Sequence, residues 1–283
     1  MVFVKSIFSV CMLSFVSITI VFPCLSSADP LETVHLKNLS SQGNPLLGVT
    51  YGNGTFVTVG ADGTILTSSD GINWTTKTSG THSNLYGVAY GNGSFCAVGY
   101  EGTIVTSLDG INWATKTYVT HNNLYGVTYG NGTFCAVGYD GTILTSSDGV
   151  SWTNKTSGTT RWLYGVAYGN ETFVTVGAGG TILTSSDGVN WIAKTSGTND
   201  NLYGVTYVDG IFVAVGYGGA ILTSSDGIIW TAKTLETTNW SRGVAYGNCI
   251  SVSVGAFGTI EVVKTPSSDV EKTIQSCDIL SPQ

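Results

Sequence analysis

From Leu46 onward, short apolar runs of four to seven residues alternate with turns of Gly, Asn, Asp and Ser, and no helical period appears. The stretch from Leu85 shows one unit. Leu85–Tyr90 is a first strand, ended by Gly-Asn-Gly, a strong hairpin signal. Ser94–Gly99 is a second strand and Gly102–Thr106 a third. The turn Ser107–Gly110 leads into a fourth, Ile111–Thr117. On the first strand Tyr86, Val88 and Tyr90 share one face and Gly87 and Ala89 the other. A sheet with one bulky and one small face nests against a copy of itself.

The unit recurs without insertion or deletion. Gly48, Gly87, Gly126, Gly165, Gly204 and Gly243 stand 39 residues apart, as do Tyr51, Tyr90, Tyr129, Tyr168, Tyr207 and Tyr246. Trp74, Trp113, Trp152, Trp191 and Trp230 keep the interval, with Asp70, Asp109, Asp148, Asp187 and Asp226 four residues before them. Four-stranded antiparallel sheets repeated at a fixed period predict an all-β, six-bladed β-propeller over residues 29–265. The sixth unit lacks the Asp-Gly-x-x-Trp turn, so its fourth strand is missing. Val34–Lys37 stands in fourth-strand register near the N-terminus, with His35 where Trp74 stands one unit later, and Glu32–Thr265 spans 234 residues, six full periods. The N-terminal strand is therefore expected to complete the last blade and remove its open edge. Residues 266–283 read as a polar tail.

The first 28 residues read as a signal peptide: basic Lys5, an uncharged apolar run Ile7–Phe22, then Ser26-Ser27-Ala28 at a cleavage site. The run is short for a membrane span and no second one follows. Cys24 lacks the small residue expected before a lipidated cysteine. The mature protein is expected to be secreted or extracytoplasmic, monomeric, and without a stable membrane span. Without Lys5 it holds 10 basic and 18 acidic residues, a net charge of −8, and only two arginines, which excludes a nucleic-acid footprint. It retains Cys96, Cys135, Cys249 and Cys277. Cys96 and Cys135 take second-strand positions in neighbouring blades where other copies have valine, and are expected as buried free thiols. A Cys249–Cys277 bridge is expected to pin the tail. No CxxC or Cys/His cluster is present and only His35, His82 and His121 occur, so neither a metal site nor a cofactor is expected.

The turn Thr67-Ser-Ser-Asp-Gly-Ile-Asn-Trp74 resembles the Asp box, or bacterial neuraminidase repeat, with Asp and Gly adjacent and one residue fewer than the usual form. The preceding Val59–Leu66 is similar to the repeat of the photosystem II assembly-factor family, whose members are exported propellers. The resemblance implies a structural role for the five box aspartates, each accepting backbone N–H bonds in its turn. It also raises sialidase activity, which needs three arginines to hold the substrate carboxylate. Arg161 and Arg242 cannot supply them, and no catalytic residue is assigned.

Consecutive hairpin turns alternate between the two ends of a blade, so the Gly-Asn-Gly and Asp-box turns share one nearly uniform end. The other end varies from copy to copy, as a ligand site in a propeller mouth would. Candidate ligand-binding residues there are Tyr100, Glu101, His121, Tyr139, Asp140, Arg161, Trp162, Trp240 and Arg242. The expected function is a non-catalytic binding or scaffold propeller recognising a protein or carbohydrate ligand. The alternative is a polysaccharide-acting glycoside hydrolase with two carboxylates.

Overall fold

The computed structural model describes residues 44–264 except 72, 116–118, 235–240, 248–249 and 256–259. The first sheet comprises β1 (Leu46–Gly52), β2 (Thr55–Gly60), β3 (Ile65–Ser68) and β4 (Thr75–Lys77). The second comprises β5 (Leu85–Gly91), β6 (Ser94–Gly99), β7 (Ile104–Ser107) and β8 (Ala114–Thr115). Next come β9 (Leu124–Gly130), β10 (Thr133–Gly138), β11 (Ile143–Ser146) and β12 (Thr153–Lys155). The fourth sheet holds β13 (Leu163–Gly169), β14 (Thr172–Gly177), β15 (Ile182–Ser185) and β16 (Ile192–Lys194). The fifth holds β17 (Leu202–Val208), β18 (Ile211–Gly216), β19 (Ala220–Ser224) and β20 (Thr231–Thr234). Last are β21 (Ser241–Gly247), β22 (Ile250–Gly255) and β23 (Ile260–Lys264). Every sheet is antiparallel, with its strands in chain order.

Two expectations are corrected. Five sheets have four strands and the sixth has three, so the described residues form five complete blades rather than six. The cause is local: β23 runs into Thr265-Pro266 with no Asp-Gly-x-x-Trp turn to start another strand. The closing segment 34–37 lies outside the described residues, as do the signal, the tail, Cys249 and Cys277. The fourth strand is also shorter than expected. In the second blade it starts at Ala114, because the Asp109 carboxylate accepts the amides of Ile111 and Asn112, both at 2.8 Å, and keeps them in the turn.

The core lies between blades. Val57, Val59 and Ile65 of the first meet Leu85, Phe95 and Ala97 of the second. Cys96, Val98 and Ile104 of the second meet Leu124, Phe134 and Ala136 of the third, and the fourth and fifth repeat the arrangement. Successive residues of the second strands in the second to fourth blades therefore face opposite neighbours, which is why these strands are buried on both faces and mostly apolar. The buried hydroxyls of Thr58 and Thr175 donate to the Gly48 and Gly165 carbonyls. Each buried Leu, Ile or Phe contributes about 1.5–3 kcal/mol. Cys96 and Cys135 fall in different inter-blade layers, both buried and free, and burial raises both thiol pKa values.

The first strands contact one another in the series β1, β5, β9, β13, β17, β21, and glycine sets their approach. A Cβ on Gly48 would stand 3.2 Å from the Gly87 Cα. At the other end of the strand a Cβ on Gly91 would enter the ring of Tyr129, and Gly52, Gly130 and Gly169 meet Tyr90, Tyr168 and Tyr207 in the same way. The Gly and Tyr of the repeat are thus two halves of one inter-blade contact.

Candidate functional site

The two ends of the blades are built differently. At one end the Asp turns close each third strand. The Ser146 hydroxyl donates to Asp148 at 2.9 Å, while the same carboxylate accepts the amides of Val150 and Ser151 at 2.8 Å. Trp152 Nε1 donates to the Gly149 carbonyl at 3.0 Å. Asp109, Asp187 and Asp226 repeat the pattern, and Asp70 accepts from Asn73 N at 2.8 Å. These amide bonds hold Asp148 down at about 2 and lower Asp109, Asp187 and Asp226 as well. The Trp of each turn packs at a tilt on the second-strand Phe, with ring centroids 6.2–6.4 Å apart. Asn92 Nδ2 donates to the Ser147 carbonyl at 3.2 Å, joining this end from blade to blade.

The opposite end carries the candidate site. Each second and third strand there are joined by a tight turn with left-handed residues at its centre, such as Glu101 at φ 51° and Asp140 at φ 54°. The turn is pinned to the start of a first strand, with Tyr100 N on the Asn84 carbonyl at 2.9 Å and Tyr139 N on that of Asn123 at 2.8 Å. Asparagine side chains add a tether between blades: Asn84, Asn123 and Asn201 accept the amides of Asp62, Glu101 and Gly179 at 3.0, 2.8 and 2.9 Å.

A β-bulge sits beside each tether. In the second blade Leu85 pairs with Gly99 and Gly87 with Val98, leaving Tyr86 as the extra residue, and the same step occurs at Tyr125, Tyr164 and Tyr203. The bulged tyrosines form a ladder across four blades, with centroids 5.7, 5.8 and 5.4 Å apart. Burial raises the pKa of Tyr125 and pushes Tyr164 up to about 12, so both keep their hydroxyl protons. Strict alternation could not find this ladder. The available signal was the period of the Leu-Tyr-Gly triplet, in which a Gly interrupts two large residues.

Onto this ladder the structure places Trp162. Its ring lies 4.9 Å from Tyr139, 6.4 Å from Tyr125 and 6.2 Å from Tyr164. Tyr139 and Trp162 each keep 40% of their surface exposed. Arg161 is exposed beside them, and its guanidinium lies over Gly179 of the fourth blade's turn. Tyr100 and Glu101 are exposed on the second blade's turn, where the Glu101 carboxylate raises the Tyr100 hydroxyl. Asp140 is exposed on the third, and His121 on the loop before β9. The fold thus brings the Tyr139 and Trp162 rings together and puts Arg161 and Asp140 on one groove beside them, while Glu101 and His121 lie on their own loops. Trp240 lies outside the described residues, and Arg242 takes the bulged position of β21. A contact the sequence reading did not name joins His82 to Asp62 at 3.1 Å. Among the described residues, no group of three or more His, Cys, Asp or Glu side chains is placed to hold a metal. No described helix is long and apolar enough to cross a membrane.

No protein-family model matches the chain, and no curated protein sequence does. Solved structures do. YCF48 bound to a D1 peptide superposes with a TM-score of 0.63 at 16% identity, over 80% of this chain and 79% of that one. The likeness is one of fold. YCF48 from Cyanidioschyzon merolae gives 0.61 at 15% identity, over 79% of this chain and 85% of its own. The computationally designed Ika8 protein gives 0.57 at 13%, covering 78% and 71%. The resemblance of the repeat to assembly-factor propellers therefore holds at the level of architecture.

Proposed function

We propose that this chain is a non-catalytic, extracytoplasmic binding propeller that holds a protein or glycan ligand at the tyrosine-lined end. One observation carries the reading: four bulged tyrosines form a ladder there, and Trp162 and Tyr139 lie over it with much of their aromatic surface exposed. Aromatic side chains give large contact area at little conformational cost, which suits recognition. YCF48, whose fold the chain shares, has been solved with a D1 peptide bound, which keeps a protein among the ligand classes to be tested. The aspartates with displaced ionisation are lowered, not raised, and serve turns at the opposite end, so they offer no general acid for the glycosidase alternative. Closure of the sixth sheet by residues 34–37, a monomeric state and export through residues 1–28 complete the proposal.

The test is a pull-down and glycan-array screen with the mature chain. The variants are Tyr139→Ala/Trp162→Ala and, as control, Asn92→Ala on the opposite end. A ligand kept by the control and lost by the double variant supports the reading. A ligand lost by the control alone moves the site to the other end and refutes it.

A further inference from the structure

The tether between blades fails at one described place, and there the surface changes character. Positions 84, 123 and 201 hold asparagines that cap the turn amide of the preceding blade. At the equivalent position 162 the residue is tryptophan. Its backbone carbonyl still accepts Ala178 N at 2.8 Å, so the main chain is unchanged and only the side chain has been exchanged. The exchange forgoes the side-chain cap on the Asp140 amide and exposes an indole. Asparagine stands at three of the six equivalent positions, while position 45 is proline and position 240, like 162, is tryptophan. An exposed indole in place of a tether is a departure from the local rule that points to function rather than folding.

The neighbouring groove has matching chemistry. A cavity of about 760 Å³ opens between the third blade's edge and the loop that carries Arg161. Its walls are hydroxyls, amides and glycines, among them Asn122, Thr142, Asn154 and Thr156, and no Val, Leu, Ile, Met or Phe lines it. Such walls offer no apolar pocket to anchor a large peptide side chain, whereas a sugar offers hydroxyls to them and C–H faces to an indole. Charge narrows the class. Lys155 and Arg161 line the groove against a single carboxylate, Asp140, in a chain of net charge −7. The acid that blades one to three carry in this turn is Gly179 in the fourth, and the Arg161 guanidinium lies over it. In the first blade the corresponding groove is smaller, about 310 Å³, and its His82 is already engaged by Asp62.

We infer that an acidic oligosaccharide binds across the Tyr139–Trp162 pair and the adjoining groove. The two rings, which stand outside the groove's own lining, stack on one sugar, and Arg161, next to Trp162 in the chain and part of that lining, takes a ring carboxylate. The inference rests on the mouth being a binding face and names its ligand class. Arg161 grips a planar carboxylate in two parallel N–H···O bonds, which a hydroxyl or an ester does not offer.

Calorimetric titration of the mature chain with trigalacturonic acid tests it, with the methyl-esterified trimer as the neutral control. Wild type should bind the acid at least tenfold more tightly than the ester, and Arg161→Gln should bring the two within about twofold. Trp162→Asn should weaken acid binding at least tenfold without lowering the melting temperature, because the asparagine restores the cap on Asp140. Equal affinity for acid and ester, or wild-type binding by Trp162→Asn, overturns the inference. Absence of saccharide binding alongside a protein partner that Trp162→Asn loses overturns it and leaves the binding-propeller reading standing. Absence of both ligands defeats the two together.

Discussion

Replacing Gly91 by alanine tests the packing between blades directly. Gly91 ends β5, and an added Cβ would enter the Tyr129 ring of the next blade, far inside the van der Waals separation of about 3.5–4.0 Å. Gly91 is not among the left-handed residues, so alanine meets no backbone strain and the penalty is steric. The ring cannot retreat freely, because it also packs on Phe134 at 4.7 Å. Overpacking of this kind costs about 1–3 kcal/mol, and the depth of overlap places Gly91→Ala near the upper figure. At about 2–4 °C per kcal/mol for a chain of this size, a cost of about 3 kcal/mol lowers the melting temperature by about 6–12 °C. A double-mutant cycle isolates the contact. Tyr129→Ala alone should cost about 3–5 kcal/mol, as large-to-small aromatic changes do. In that background the added methyl has room, and Gly91→Ala should cost under about 0.5 kcal/mol. Gly93→Ala is the control: nothing lies within 4 Å of its Cβ, but φ is +74°, so it should cost about 1 kcal/mol in either background. Calorimetric or denaturant unfolding supplies the four free energies. A Gly91→Ala penalty that is the same with and without the Tyr129 ring would refute the interlocking account.

Asp148→Ala should lower stability by about 1–2 kcal/mol through the freed turn amides and leave ligand binding unchanged; thermal melts paired with a binding assay check both halves. The lowered folded pKa of Asp148, about 2, means that its stabilisation is present above the unfolded value near 3.9 and lost as pH falls toward 2. The melting temperature should therefore drop across that window, and Asp148→Asn should flatten the slope; an unchanged slope contradicts the turn assignment. Cys96 and Cys135 should resist alkylation in the native protein and react once unfolded, read by peptide mapping. Cys96→Val should cost under about 1.5 kcal/mol, since Val57, Val174 and Val213 hold the same position in other blades.

The repeat made the architecture legible because its strands, hairpins and Asp turns are local features with local causes. Asn-Gly sets left-handed turns, Asp gathers turn amides, and apolar second strands betray sheets covered on both faces. The sequence reading went astray where geometry departs from strict alternation. The bulge at Tyr86 inserts one residue into β5, so the tyrosine ladder could not be counted from a period of two. The fourth strands shortened because aspartate holds residues such as Ile111 and Asn112 in the turn. Tyr139, Arg161 and Trp162 were singled out by their variation between copies. Their meeting was not visible, since Tyr139 and Trp162 belong to different blades and touch only once those blades pack.

If function lies at the tyrosine-lined end, hydrogen exchange on the mature chain, with and without its ligand, will show it. Exchange should slow in the turns around Tyr100 and Tyr139 and across Arg161–Tyr164, with the Asp turns unaffected. Protection confined to residues 109–112 and 148–151 would contradict it and move the binding face to the uniform end.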